Sequence, residues 1–326
     1  MQSSPRTALI FGISGQDGAY LARLLLDQGY AVHGSSRDAE GRSFPGLAAL
    51  GIRDRVKIHS ASLGEFRSVA QIVQQIRPSE IFNLAAQSSV GLSFQQPVET
   101  IDSIMHGTIN ILEAIRFLGL ETRFYNASSS ECFGNTPVPA DETMPFQPRS
   151  PYAVGKAAAH WAVANYREAY DLFACSGLLF NHESPLRPAR FVTQKIVRGA
   201  ADIAERKTDR LALGALDMAR DWGWAADYAE AMALMLQQDA PEDFVIATGV
   251  ASRLEDFVDA AFRCFGLDWR THVESDPAFM RPSDISLSVG NPAKARAQLG
   301  WSATIKMPDL VAKLVEAELA KRAAAR

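Results

Sequence analysis

Thr7-Ala8-Leu9-Ile10-Phe11 is a short apolar run, and Gly12-Ile13-Ser14-Gly15-Gln16-Asp17-Gly18 follows it at once. The first reads as a buried strand. Residues 19–28, which contain no proline and are followed by Gly29, read as a helix. In the order strand, turn, helix the glycines have a mechanism. They allow a tight turn and let a pyrophosphate approach backbone N–H groups at the helix N-terminus. The spacing is Gly-x-x-Gly-x-x-Gly rather than Gly-x-Gly-x-x-Gly, so the context carries more of the argument than the spacing does.

A second strand, residues 31–34, runs into Ser35-Ser36-Arg37-Asp38. This lies about twenty residues past the glycines, where a dinucleotide fold reads the adenosine ribose. Arg37 favours a 2′-phosphate and hence NADP, whereas Asp38 favours a free 2′-hydroxyl and hence NAD. An arginine directly after a serine-rich strand end can grip a phosphate in bidentate fashion, which tips the reading to NADP, with NAD the alternative.

Strands at 56–59, 80–84 and 123–127 then alternate with helices at 65–76 and 100–118. The repetition predicts an α/β protein with a Rossmann-like, doubly wound parallel sheet and ligands outside the carboxyl ends of its strands. The last of these strands delivers Ser128-Ser129-Ser130-Glu131, and Ser150-Pro151-Tyr152-Ala153-Val154-Gly155-Lys156 opens a further helix. Tyr152 and Lys156 are four apart and share a helical face. Alone that pairing is a weak signal. Beside a hydride acceptor, a phenol whose pKa is drawn down from about 10 by an ammonium can take a proton from a substrate alcohol. One of the three serines supplies a hydroxyl and Glu131 a carboxylate. Residues 136–151 carry five prolines and read as a stiff surface loop, either a lid or a connector.

Composition sets limits. A chain of 326 residues with 47% apolar and 21% charged residues suits a globular protein of one large or two modest domains. A net charge of −4 gives no basic footprint, so no nucleic-acid partner is expected. Cys132, Cys175 and Cys264 are odd in number and widely spaced, as expected of free thiols in a reducing cytoplasm. No apolar run approaches a membrane span, and residues 1–7 are too short and polar for a signal peptide. A cytoplasmic protein without membrane contact is expected. The six histidines show no metal-ligand spacing, so no metal is expected either. No Gly-x-Ser-x-Gly elbow suggests a hydrolase.

In the second half, a strand at 177–180 leads into the turn-rich Asn181-His182-Glu183-Ser184-Pro185-Leu186-Arg187-Pro188. Lys195, Arg220-Asp221-Trp222-Gly223 and Arg281-Pro282-Ser283-Asp284 follow. Arginines flanked by Pro, Gly or Trp suit loops that clamp a phosphorylated ligand. A late strand at 244–248 and helices at 254–265 and 307–324 complete the chain.

With these residues in view, the chain resembles the extended short-chain dehydrogenase/reductase family, and within it the GDP-mannose 4,6-dehydratases. The resemblance runs over nearly the whole sequence. It rests on Gly15-Gln16-Asp17-Gly18, Asn83-Leu84-Ala85-Ala86-Gln87-Ser88, Pro148-Arg149-Ser150-Pro151-Tyr152, Phe180-Asn181-His182-Glu183-Ser184-Pro185, Arg220-Asp221-Trp222-Gly223 and residues 241–249. It implies Ser129, Glu131, Tyr152 and Lys156 as catalytic residues. For the cofactor it implies Gly12, Gly15, Gln16, Asp17, Gly18, Arg37, Ser62, Leu63, Leu84, Ala85 and Ala86, joined by Tyr152 and Lys156. For a GDP-sugar it implies Ser88, Glu131, Asn181, Arg187, Lys195, Arg220 and Arg281, with Asp284 near the nucleotide ribose. Two domains are implied: residues 1–182 plus about 217–249 for NADP, and about 183–216 plus 250–326 as a smaller, mostly C-terminal substrate-binding domain. A homodimer or homotetramer is implied as well.

Four positions depart from the family pattern. Ser129 stands where threonine is usual, and Asp38-Ala39 where two arginines are usual. Ser62 replaces an aspartate near the adenine, and Asp284 replaces a glutamate after Arg281-Pro282. The alternatives are a GDP-4-keto-6-deoxymannose reductase or other nucleotide-sugar epimerase or reductase, and a non-catalytic NAD(P)-binding sensor.

Overall fold

The computed structural model describes residues 6–324. The leader-segment reading at residues 1–5, and the ends of the two expected domains, lie outside the described residues.

Six strands open the main sheet: β1 (Thr7–Phe11), β2 (Ala31–Ser36), β3 (Lys57–Ser60), β4 (Glu80–Asn83), β5 (Arg123–Ala127) and β6 (Ala174–Leu179). With the edge strand Phe244–Ile246 they form a seven-stranded sheet in the order β3-β2-β1-β4-β5-β6-edge, and every pairing is parallel. Helices cover both faces, so the central strands are buried on both sides and read as continuous apolar runs. All six residues of β6 are buried. On one face Ala8 and Ile10 pack with Leu21, Leu25, Met232 and Met235; on the other Leu9 and Phe11 pack with Val69, Ile72, Ile111 and Val163. The strand order reverses between β1 and β4, and the crevice of a doubly wound sheet opens at that point.

Several boundaries differ from the sequence expectations for local reasons. The first helix begins at Gln16 rather than at residue 19, because the turn residues 16–18 are themselves helical with Gly15 as N-cap. β2 continues to Ser36, since Ser35 and Ser36 pair with His59 and Ser60 of β3. The expected helix over 100–118 is built from Pro97–Ile101, a π-helical turn Asp102–His106 and Gly107–Phe117. A short helix, Val90–Gln95, has no counterpart in the sequence reading; the Ser89 side chain caps it by accepting from Leu92 N.

The proline-rich segment is a tethered connector. Thr136 N donates to Leu287 O at 3.0 Å, Ala140 N to Val289 O at 2.9 Å and Asn291 N to Ala140 O at 2.7 Å. Glu142 Oε1 accepts from Val245 N at 2.7 Å.

A second core, with Ile196, Val197, Trp222, Phe257, Phe262, Leu310 and Leu314, joins the helices Val192–Ala204, Leu254–Arg263 and Met307–Ala324 to a small sheet. In that sheet Ala219–Trp224 pairs with Ala251–Arg253, Leu287–Ser288 and Asn181–Glu183. Late residues also return to the first core: Trp301 packs there and its Nε1 donates to Asp227 O at 2.8 Å.

Candidate active site

The glycine turn lies at the switch point, with Gly12 against the end of β4. Gly12 has φ +89°, and a Cβ there would fall 2.7 Å from the Leu84 carbonyl carbon. At Gly18 a Cβ would fall 2.5 Å from Gly12 O. Only glycine fits either place, and the result is an open helix N-terminus facing the crevice.

The side chains of Gln16 and Asp17, expected at the cofactor, are engaged by the segment 182–184. Gln16 Nε2 donates to His182 O at 2.9 Å, and Ser184 Oγ donates to Gln16 Oε1 at 2.8 Å. Asp17 Oδ1 lies 3.0 Å from His182 Nε2. Burial pushes the Asp17 carboxyl up, but the charge and hydrogen bond of His182 outweigh it and hold the pKa below the ordinary range. Burial pulls His182 down, and Asp17 more than reverses this. The segment expected to be a turn-rich ligand loop thus contains the strand Asn181–Glu183 and serves largely as a brace.

The chemical groups come from the end of β5 and from the helix Pro151–Tyr170. Ser129 Oγ accepts from Glu131 N at 3.2 Å and so fixes the turn that presents Glu131. Ser150 Oγ caps the helix by accepting from Ala153 N at 3.1 Å, which sets where Tyr152 and Lys156 point. Lys156 is buried, and its Nζ donates to Ala127 O at 2.6 Å, 5.8 Å from the Tyr152 ring centroid. Burial lowers the Lys156 pKa to about 8. The expectation that Lys156 draws the Tyr152 pKa down is corrected: burial pushes the phenol above its ordinary value, and the hydrogen bond to Ser129 offsets only part of this. The Lys156 ammonium itself is turned to a backbone carbonyl.

Glu131 is half-buried. Burial raises its carboxyl pKa, Arg220 and then Arg281 pull it back down, and Asp284 raises it. Arg220 Nη2 lies 3.1 Å and Arg281 Nη1 3.2 Å from the same Asp284 Oδ1. Arg220, expected on a loop, lies instead on the strand Ala219–Trp224 and is 4% exposed. Its neighbour Asp221 serves the fold, accepting from Thr248 N and Gly249 N at 2.9 Å and from Thr248 Oγ1 at 2.7 Å. Arg187 Nε lies 2.9 Å from Glu183 Oε2, and its guanidinium stacks on Phe191 at 3.9 Å. Lys195 Nζ sits 3.3 Å from the Phe279 ring centroid.

Every residue marked from sequence for catalysis, cofactor or substrate borders one cleft. Arg37, Ser62, Leu63, Leu84, Ala85 and Ala86 line it together with Ser88, Asn181, Arg187, Lys195, Arg281 and Asp284. The sequence reading missed Arg42, Phe191, Phe279 and Met280, which line the same cleft. Arg42 carries a signal, lying between Gly41 and Ser43 five places after Arg37; the others carry none.

The parallel sheet, the glycine turn at its switch point and the Ser129/Tyr152/Lys156 group beside it define an extended short-chain dehydrogenase/reductase. Solved structures are alike in fold. The chain is similar to UDP-glucose 4-epimerase of Thermus thermophilus in complex with NAD, with a TM-score of 0.82, 26% identity and coverage of 95% of this chain and 98% of that one. It is also similar to DesIV, a dTDP-glucose 4,6-dehydratase of Streptomyces venezuelae, with a TM-score of 0.85, 20% identity and coverage of 98% of both chains. The family model described as GDP-mannose 4,6 dehydratase matches residues 9–314. Identity is 45% to GDP-mannose 4,6 dehydratase 2 of Arabidopsis thaliana, over 97% of this chain and 88% of that protein. It is 42% to GDP-mannose 4,6-dehydratase of Vibrio cholerae, over 96% and 94%. The chain belongs to the GDP-mannose 4,6-dehydratase family.

Among the described residues no helix is long and apolar enough to cross a membrane.

Proposed function

We propose that this protein is a nucleotide-sugar 4,6-dehydratase, a hydro-lyase that converts GDP-mannose to GDP-4-keto-6-deoxymannose. The observation that carries the reading is the meeting of Ser129, Glu131, Tyr152 and Lys156 in one cleft, between a glycine turn and the Arg220/Arg281/Asp284 cluster.

The glycine turn fits a dinucleotide. Its helix N-terminus is open, and both Gly12 and Gly18 leave no room for a Cβ. A nicotinamide dinucleotide held there supplies reversible hydride storage, so the sugar is oxidised and reduced within one cycle with no net redox change. Gly12, Gly15 and Gly18, with Ser62, Leu63 and the strand end Leu84-Ala85-Ala86, line its place, and Arg37 favours NADP.

Tyr152, hydrogen-bonded to Ser129, would take the proton from the sugar 4-hydroxyl as its phenolate, the form that the positive ring of a bound oxidised nicotinamide would favour. Lys156 holds the β5 end through Ala127 O. The 4-ketone acidifies C5–H. Glu131 takes that proton, and the 6-hydroxyl leaves as water with the proton that Glu131 returns. The raised Glu131 pKa suits this double duty, because it eases uptake of the proton that the group later gives back. Arg220 and Arg281, with Asn181, Arg187 and Lys195, hold the nucleotide diphosphate and base, while Ser88 faces the sugar. The proposed division gives residues 1–182 plus about 217–249 to the dinucleotide and the rest to the nucleotide sugar. The exposed Val98, Val154 and Trp161 support self-association into a homodimer or homotetramer.

The test is incubation with GDP-mannose. A product lighter by one water, with no net change in nicotinamide absorbance, supports the reading. Consumption of NADPH only with a keto-sugar substrate would replace it with a reductase.

A further inference from the structure

Asp284 binds both of the arginines that act on Glu131, while Glu131 itself is left unpaired. From this arrangement we propose that Asp284 is a positioning residue for the proton acceptor: it occupies Arg220 and Arg281, which would otherwise close on Glu131 and hold it in an ion pair. The inference rests on the role of Glu131 given above and adds a residue that governs it.

Geometry carries it. A single atom, Asp284 Oδ1, accepts from Arg220 Nη2 at 3.1 Å, from Arg281 Nη1 at 3.2 Å and from Ile285 N at 2.8 Å. The bond to Ile285 N folds the carboxylate back on its own turn, so both guanidiniums are drawn to a fixed point. Arg220 is buried, and a cation in that setting needs a counter-charge close by. Two carboxylates of the cleft act on it, Glu131 and Asp284, and only Asp284 is in contact. The Glu131 carboxylate forms no hydrogen bond or ion pair among the described residues.

That freedom matters for proton transfer. A carboxylate clamped by arginine is a poor base, because the contact favours its charged form. The other titratable neighbours of Glu131 do not compete for the arginines. Tyr152, on the helix Pro151–Tyr170, and Cys132, next to Glu131 in the chain, are both raised by burial and so are neutral near neutral pH. Asp284 is therefore the anion that offsets the two arginines. After burial, it is the group that holds the Glu131 carboxyl above its ordinary value.

The test reads Glu131 directly. In full-length protein with isotope-labelled glutamate carboxyls, the Glu131 signal in carbon NMR is the one missing from Glu131→Gln, and its titration needs neither cofactor nor substrate. Asp284→Asn and Asp284→Ser are expected to lower its midpoint by about half a pH unit or more, as the freed arginines turn to Glu131. Asp284→Glu, which keeps the charge, is expected to leave it near wild type. At saturating GDP-mannose the acid limb of kcat should move to lower pH in the two uncharged variants. A midpoint that stays or rises in both overturns the proposal. So does a raised KM with the acid limb unmoved, which would make Asp284 a ligand contact alone. In either case the dehydratase reading stands. Failure of the wild type to convert GDP-mannose overturns that reading, and the carbon titration still decides whether Asp284 governs Glu131.

Discussion

His182 and Asp17 are joined at 3.0 Å from Nε2 to Oδ1, while the other ring nitrogen, Nδ1, lies 2.8 Å from Phe180 O. Both nitrogens face acceptors, and only a doubly protonated imidazole donates to both. The ring also stacks on Tyr228 at 4.4 Å. The cation neutralises a carboxylate that would otherwise oppose an anionic ligand at the helix N-terminus.

This pair sets a pH dependence of stability. The folded pKa of His182 is raised, so its contribution is fully present below the unfolded value of about 6.5 and is lost as pH rises through the folded pKa. The folded pKa of Asp17 is lowered, so its contribution is present above 3.8 and lost as pH falls through the folded value. His182→Phe is expected to cost roughly 1–3 kcal/mol near pH 6, with the deficit shrinking as pH rises. Urea denaturation across pH 5–9 (roughly the range over which histidine titrates) reads both parts. A deficit that stays flat with pH would show that the ring is neutral throughout.

Glu131 gives a prediction with two signs. Its ionised form is disfavoured by burial, so at neutral pH the native protein bears a cost that vanishes below the ordinary carboxyl range, where the group is protonated in both states. Glu131→Gln is therefore expected to melt at or above the wild-type temperature at neutral pH and level with it near pH 4, roughly the unfolded carboxyl pKa. Its turnover should fall by about 100-fold or more. In Arg281→Gln one of the charges that lowers the Glu131 pKa is gone, so the acid limb of kcat at saturating substrate should move to higher pH.

Lys156 combines burial with a proposed catalytic role. Its folded pKa of about 8 lies below the ordinary 10.5, so the unfolded chain binds more protons between these values and stability rises with pH there. Lys156→Met removes this dependence. The variant is expected to lose most of its turnover, and any stability advantage it holds at pH 7 should shrink by pH 10, about the upper edge of that window. Thermal melts at the two pH values are the measurement.

Arg220 and Asp221 are adjacent, yet their variants should separate cleanly. Asp221→Ala strands the Thr248 and Gly249 donors in the interior, and is expected to cost about 3–5 kcal/mol in urea unfolding. Arg220→Gln is expected to leave unfolding close to wild type and to raise KM for the nucleotide sugar. Similar destabilisation by both would mean that Arg220 is structural.

The strand and helix order was legible because central parallel strands are apolar on both faces, and β1 with its glycine turn shows this in a dozen residues. The proposed catalytic group was legible as a cluster because it is local: β5 runs directly into Ser129 and Glu131, and Tyr152 and Lys156 are one helical turn apart. The second half was harder to read. Asn181–Glu183 and Ala219–Trp224 are short and polar and pair only with each other or with distant segments, so no periodicity reveals them as strands. For the same reason the sequence reading did not show that His182 and Asp221 bind other parts of the protein. The direction of the Tyr152 shift was hidden too, because it follows from how deeply the fold buries the phenol.

The backbone passes from β6 to Asn181–Glu183 with Phe180 alone between them, so one unbroken ribbon belongs to both sheets. Phe180 N donates to Ile246 O at 2.9 Å, and the ribbon is pinned at its midpoint. A joint that short and that well fastened gives no pivot. The enzyme would admit and discharge its sugar through rearrangement of rim residues such as Phe279 and Met280, with the walls of the crevice standing still while an electron pair is out on loan.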